Sequence, residues 1–183
     1  MALEYRRQQK FAYREQTHHL QEINMSKTIL ITGAGSGFGK GAAIALAARG
    51  HHVIATTETS EQASELAKEA PQLQVEKVDI TNSADIAKIS AWDIDVLINN
   101  AGIASVGNIE NIKPEVFKEV IDVNLIGSVF MTKAVLPEIK KSKGSILFIS
   151  SIAGIHGIPD YSAYSCSKMA LTALAESLRI ELH

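Results

Sequence analysis

The sequence predicts an α/β chain built as a doubly wound parallel sheet. Three observations carry this. From Lys27 onward, short segments rich in Ile, Val and Leu alternate with helical segments. The short segments are apolar on both faces, as parallel strands covered by helices must be. The first of them runs straight into a glycine-rich turn and an Ala-rich helix. Such alternation with short connections puts the strands in one parallel sheet, with right-handed crossovers placing helices on both faces.

The strands are expected at 28–32 (TILIT), 52–57 (HVIATT), 73–79 (LQVEKVD), 95–99 (DVLIN) and 144–150 (GSILFIS). Between them helical patterns run over 37–49, 61–69, 83–90 and 114–141. Pro114 suits the first turn of its helix, where no amide partner is needed. Pro137 removes an amide late in the same segment and should kink or end it. The last helix should start at Tyr161 or Ser162 and continue to the C-terminus. Residues 1–24 are charged and Gln-rich, with no apolar stretch of the kind a secretory signal needs. They are expected to form an N-terminal extension, disordered or non-native. A natural start is expected at Met25, and a single dinucleotide-binding domain over 25–183.

Composition narrows the function classes. Of 183 residues, 46% are hydrophobic and 21% charged, enough for a buried core. A net charge of -2 gives no electrostatic basis for binding nucleic acid. No apolar run looks long enough to cross a bilayer, so no membrane association is expected. The single cysteine, Cys166, precludes an internal disulfide and fits a reducing cytoplasm. The six histidines lack metal-ligand spacing, so no metal is expected.

The glycine-rich turn carries the first chemistry. Gly33, Ser36, Gly37, Phe38 and Gly39 lie between the first strand and its helix. Glycine there permits a tight turn and close approach of a pyrophosphate, and the helix N-terminus offers unpaired amides to an anion. Ser36 adds a hydroxyl. The spacing is TGxxxGxG rather than GxGxxG. Tyr164-Ser165-Cys166-Ser167-Lys168 supplies a second motif, YxxxK. Residues four apart share one helix face, and an ammonium beside a phenol favours the phenolate. A phenol so tuned can exchange a proton with a substrate oxygen. Tyr161 has Ser165 at its i+4 position, and Cys166 points off the Tyr–Lys face.

In these motifs the chain resembles the classical short-chain dehydrogenase/reductase family over about Lys27 to His183. The resemblance implies a Rossmann fold that binds NAD(P) and transfers a hydride between the nicotinamide and an alcohol or ketone. Tyr164 would act as general acid or base. Lys168 would tune it and reach the nicotinamide ribose. Ser151, thirteen positions before Tyr164, would bind the substrate oxygen. Asn124 would hold a water in a proton relay behind the lysine. Asp79-Ile80 would lie at the adenine, although a turn or cap role alone explains an aspartate there. Asn100-Ala101-Gly102 would stabilise the sheet and line the cofactor site. At the end of the second strand Thr57 takes the usual acidic position, with Glu58 one residue beyond. Thr56 and Thr57 could donate to a 2′-phosphate, but no arginine supplies charge, so the balance tilts modestly to NADP over NAD.

Family members continue past the Tyr-bearing helix with two more strands, a Pro-Gly motif and a helical lid. The chain ends at His183, so C-terminal truncation is expected, with an incomplete pocket and the fifth strand as a sheet edge. A homodimer or homotetramer is expected through the helices after the fourth and fifth strands. Loops 103–108 and 152–160 would shape the substrate site, and Ile152, Ile155 and Ile158 hint at an apolar carbonyl compound. Two other readings stand beside this one. A non-catalytic dinucleotide-binding or scaffold protein would share the glycine turn. An extended-family sugar epimerase or dehydratase would share the Tyr–Lys pair, but its usual glycine spacing is TGxxGxxG.

Overall fold

A computed structural model describes residues 26–182; the expectation for residues 1–24 lies outside them. Five parallel strands form one sheet in the order β3-β2-β1-β4-β5. They are β1 (Thr28–Ile31), β2 (His52–Thr57), β3 (Gln74–Lys77), β4 (Val96–Asn99) and β5 (Ser145–Phe148). Five helices follow them: α1 (Gly37–Ala48), α2 (Ser60–Glu69), α3 (Ser83–Ile89), α4 (Pro114–Ser142) and α5 (Ser162–Glu181). The doubly wound sheet and its element order are as the sequence predicts.

Strand periodicity sorts the core into two layers. Alternate residues of a strand face opposite sides of its sheet. Leu30 joins Ile54, Leu97, Ile89, Met131 and Val135 beneath α3 and α4. Ile29 and Ile31 join Val53, Ala55, Ala43 and Leu66 beneath α1 and α2. Leu30, Ile31 and Leu97 are wholly buried, and each side chain of this size contributes roughly 1.5–3 kcal/mol on burial. Three strands end short of their expected range, β1 at Ile31, β3 at Lys77 and β5 at Phe148. Consequently Asp79 and Ser150 lie in loops beyond the strand ends.

Two expectations need correction. Pro137 does not end α4, which continues to Ser142. Pro137 and Lys133, whose carbonyl loses its i+4 donor, both lie on the exposed face, where water can replace the bond. Secondly, α4 spans 29 residues and holds an 18-residue window of mean hydropathy 1.4, so one helix is long and apolar enough to cross a membrane. The reason is packing. Val120, Met131, Val135 and Ile139 are buried, and α4 lies on the sheet and against α5. A core helix of this length meets the same criterion. The irregularity in α4 comes earlier, as a π-helical turn over Asp122–Gly127. The sequence pattern carries no sign of it.

Candidate active site

The site forms where the strand order reverses, between β1 and β4, outside the carboxyl ends of the strands. Here the turn after β1 meets the turn after β4. Asn100 and Ala101 both donate backbone amides to Thr32 Oγ1, each at 3.0 Å. Asn100 Nδ2 donates to the carbonyls of Thr32 (2.9 Å) and Gly33 (3.0 Å). Gly33 adopts φ +65, and a Cβ there would fall 2.6 Å from Ala101 Cα. Both facts require glycine. Asn100 thus braces the first turn from the second.

Together these turns border a cavity of about 720 Å³. Gly33, Ser36 and Phe38 line it from the glycine turn, and Asn100, Ala101 and Gly102 from the turn after β4. Asp79 and Ile80 line it from the loop after β3. Ser36 is the N-cap of α1 but makes no side-chain cap bond, leaving its hydroxyl for a ligand. Gly37 and Gly39 begin α1 without lining the cavity; Gly37 has φ +56. Phe38 is 88% exposed. Asp79 Oδ1 accepts from Thr81 N (2.8 Å) and Thr81 Oγ1 (2.7 Å), so it serves as a turn aspartate as well as a cavity wall.

The two threonines are not donors to the cavity, contrary to expectation. Both are buried. Thr57 Oγ1 donates to Thr59 O at 3.0 Å and Thr56 Oγ1 to Ile31 O at 3.3 Å. In their place Glu58 and Gln62 reach the cavity. Gln62 is legible in the sequence only as the end of a Thr59-x-x-Gln62 capping box, which the structure contains. The opposite wall brings Glu115, Lys118, Glu119 and Asp122 from α4. No motif marks them, because they occupy the unremarkable first turns of a helix.

Asn124 sits in the π turn and is wholly buried. Its Oδ1 accepts from Ile103 N at 2.8 Å, and its Nδ2 donates to Ile103 O and to Ser167 Oγ, each at 2.9 Å. Ser167 Oγ in turn donates to Tyr164 O at 2.7 Å. The amide therefore couples the turn after β4 to the Tyr-bearing helix. Ser167, inside the YxxxK motif, is a positioning residue that the motif alone does not single out.

Lys168 is buried, and its Nζ donates to Ile149 O at 2.8 Å. Burial pushes its ammonium down from the ordinary lysine range. Nζ lies 5.7 Å from the centroid of the half-buried Tyr164 ring. It also lies 3.5 Å from where a Gly102 Cβ would stand, at the cavity wall. Tyr161 packs edge-on to Tyr164, with centroids 6.4 Å apart, and so supports the ring it resembles. Ser151 is half-buried at the head of a single 3-10 turn, where its Oγ accepts from Ala153 N at 3.2 Å. Cys166 is exposed. Loops 103–108 and 152–160 meet: Gly107 bridges Tyr161 and donates its amide to Asp160 O at 2.8 Å.

The chain is similar to known proteins over most of its length. The family model for short chain dehydrogenases matches residues 27–183. The chain is 41% identical over 168 residues to the uncharacterised oxidoreductase YusZ of Bacillus subtilis, covering 85% of this chain and 60% of that protein. It is 41% identical over 162 residues to a 3-ketodihydrosphingosine reductase of Bacteroides thetaiotaomicron, covering 85% and 58%. A crystal structure of a short-chain dehydrogenase from Streptomyces avermitilis superposes with a TM-score of 0.80 at 33% identity, covering 86% of this chain and 60% of that one. The chain thus spans about 60% of the length of these relatives.

Proposed function

Because the chain belongs to the classical short-chain dehydrogenase/reductase family, we propose that it serves hydride transfer between a nicotinamide cofactor and an alcohol or carbonyl compound, with Tyr164 as general acid or base. The observation that carries this is Lys168, whose buried Nζ lies 5.7 Å from the Tyr164 ring centroid and 3.5 Å from where a Cβ on Gly102 of the cavity wall would stand. One side chain therefore joins the proton-transferring phenol to the cofactor cavity.

A dinucleotide fits the residues present. Gly33 lets the two turns close against each other at the cavity wall, Ser36 offers a hydroxyl, and the N-terminus of α1 opens on the cavity. When bound, the cofactor supplies or accepts the hydride. The protein supplies the rest. Tyr164 holds or takes the proton at the substrate oxygen. Ser151 orients that oxygen by hydrogen bonding. Lys168 favours the phenolate through its charge, and its remaining donors can bind ribose. Asn124 keeps the helix and the turn after β4 in register for a proton relay.

The cofactor is NAD(H) in preference to NADP(H), which reverses the tilt expected from the two threonines. A 2′-phosphate adds roughly two negative charges. It would meet a cavity lined by Glu58, Asp79, Glu115, Glu119 and Asp122, with Lys118 already paired to Asp122. Measured affinities check this: NADH should bind more tightly, and tighter NADPH binding refutes it.

The substrate is an apolar ketone or alcohol. Val106, Ile152 and Ile155 are 69%, 68% and 70% exposed in the loops beside the site, and the Bacteroides relative is named for a 3-keto compound. The protein assembles as a homodimer or homotetramer through α4 and α5, where Phe130 and Met169 lie exposed. A monomer in light scattering contradicts that. The lone Cys166 suits a reducing cytoplasm. Nicotinamide absorbance, followed with the natural gene product across ketones and alcohols, tests the activity. Binding of NADH without turnover on any of them would favour the non-catalytic reading.

A further inference from the structure

Asp85 lies in the first turn of α3 and does not line the cavity, yet the residue is 6% exposed and its carboxylate receives three donors. Oδ2 accepts from Lys77 Nζ at 2.6 Å and from Asp79 N at 3.1 Å. Oδ1 accepts from Lys88 Nζ at 3.0 Å. These bonds hold the carboxyl well below the usual carboxylate range, with the Lys77 bond foremost. Helix capping does not explain the residue. Asn82 already caps α3 by accepting from Ala84 N and Asp85 N.

What Asp85 does hold is the loop after β3. Val78, Asp79, Ile80 and Thr81 all line the cavity. Val78 N is tied to Thr57 O at 2.8 Å, and Thr81 to the Asp79 side chain. The Asp79 amide, at the centre of this loop, is held by Asp85. We propose that Asp85 is a positioning residue for the adenosine end of the bound nucleotide. It fixes the loop from behind through the Asp79 amide, while Lys77 and Lys88 keep its carboxylate ionised and in place.

Calorimetric titration of the full chain with AMP and, separately, with inorganic pyrophosphate tests this. AMP reports on the loop after β3, and pyrophosphate on the glycine turn. Asp85→Asn should weaken AMP binding about tenfold, as loss of a charge-assisted bond implies, and leave pyrophosphate binding unchanged. Unchanged AMP affinity overturns the proposal. Equal loss for both probes marks a purely structural role and overturns it too. Should the variant not fold, hydrogen exchange on the unaltered protein decides. The Asp79 amide should exchange slowly before AMP is added, and fast exchange there overturns the proposal. The inference rests on the dinucleotide reading. An unaltered protein that binds neither AMP nor NADH defeats that reading and this one with it, whereas AMP binding indifferent to Asp85 defeats this one alone.

Discussion

Among the described residues, two charged side chains are buried, Asp85 and Lys168, and the chain treats them in opposite ways. Asp85 collects two ammonium groups and a backbone amide on its two oxygens. Lys168 has three donor hydrogens and, among the described residues, one acceptor, Ile149 O. Burying a charge is costly unless it is paired and hydrogen-bonded. Asp85 offsets that cost within the fold. Lys168 does not, and its depressed affinity for the proton records the difference. A buried charge satisfied by the fold belongs to the architecture. One that the fold leaves short of partners, beside Gly102 of the cavity wall, is the one proposed to act on a ligand.

Substitution of each residue should break the symmetry in opposite directions. Lys168→Met should lower turnover by about 10²–10⁴-fold, the range for losing a group that supports proton transfer. Its thermal stability should hold or rise, because removing an unpaired buried charge in favour of an apolar side chain is neutral or stabilising. A fall in melting temperature would place Lys168 with Asp85. Asp85→Asn should instead destabilise the fold by about 1–3 kcal/mol in denaturant unfolding.

The pH dependence sharpens the contrast. The folded carboxyl of Asp85 lies below its unfolded value of about 3.9. Its contribution to stability is therefore fully present above that value and disappears as pH falls through the folded one. The stability gap between wild type and Asp85→Asn should be constant above about pH 5 and narrow below about pH 4. A gap that widens in acid contradicts this. For Lys168 the direction differs. Its ammonium is lost below the ordinary value of 10.5, so turnover should decline on the alkaline side before that pH. Smallest of all, Lys88→Gln removes one of three donors to Asp85, on a lysine side chain that is 66% exposed, and leaves Lys77 Nζ and Asp79 N bonded to the carboxylate. Exposed pairs contribute about 0–1 kcal/mol, so unfolding should barely change.

The two residues also differ in how legible they are. Lys168 stands out in the sequence, because its i+4 relation to Tyr164 and the thirteen-residue spacing of Tyr164 from Ser151 are local patterns. The sheet, its strand-helix alternation and the bracing turns at Gly33 and Asn100 are local in the same sense. Asp85 is not. It reads as an ordinary acidic residue in a helix's first turn, and its role depends on a loop and a strand end brought to it by the fold. The π turn around Asn124 and the acidic wall from Glu115 to Asp122 are hidden for the same reason. Thr56 and Thr57 misled in the reverse direction. Their hydroxyls look available in the sequence, but the strand buries both and backbone carbonyls accept from them.

Tyr164 is proposed to exchange the proton in a nicotinamide-dependent hydride transfer. The most direct test of this role compares the natural gene product with its Tyr164→Phe variant. Nicotinamide absorbance reports turnover on an apolar ketone, and nucleotide fluorescence reports NADH binding. The variant should bind NADH like the wild type and lose turnover by about 10²–10⁴-fold. A Phe variant that turns over at the wild-type rate would contradict that role.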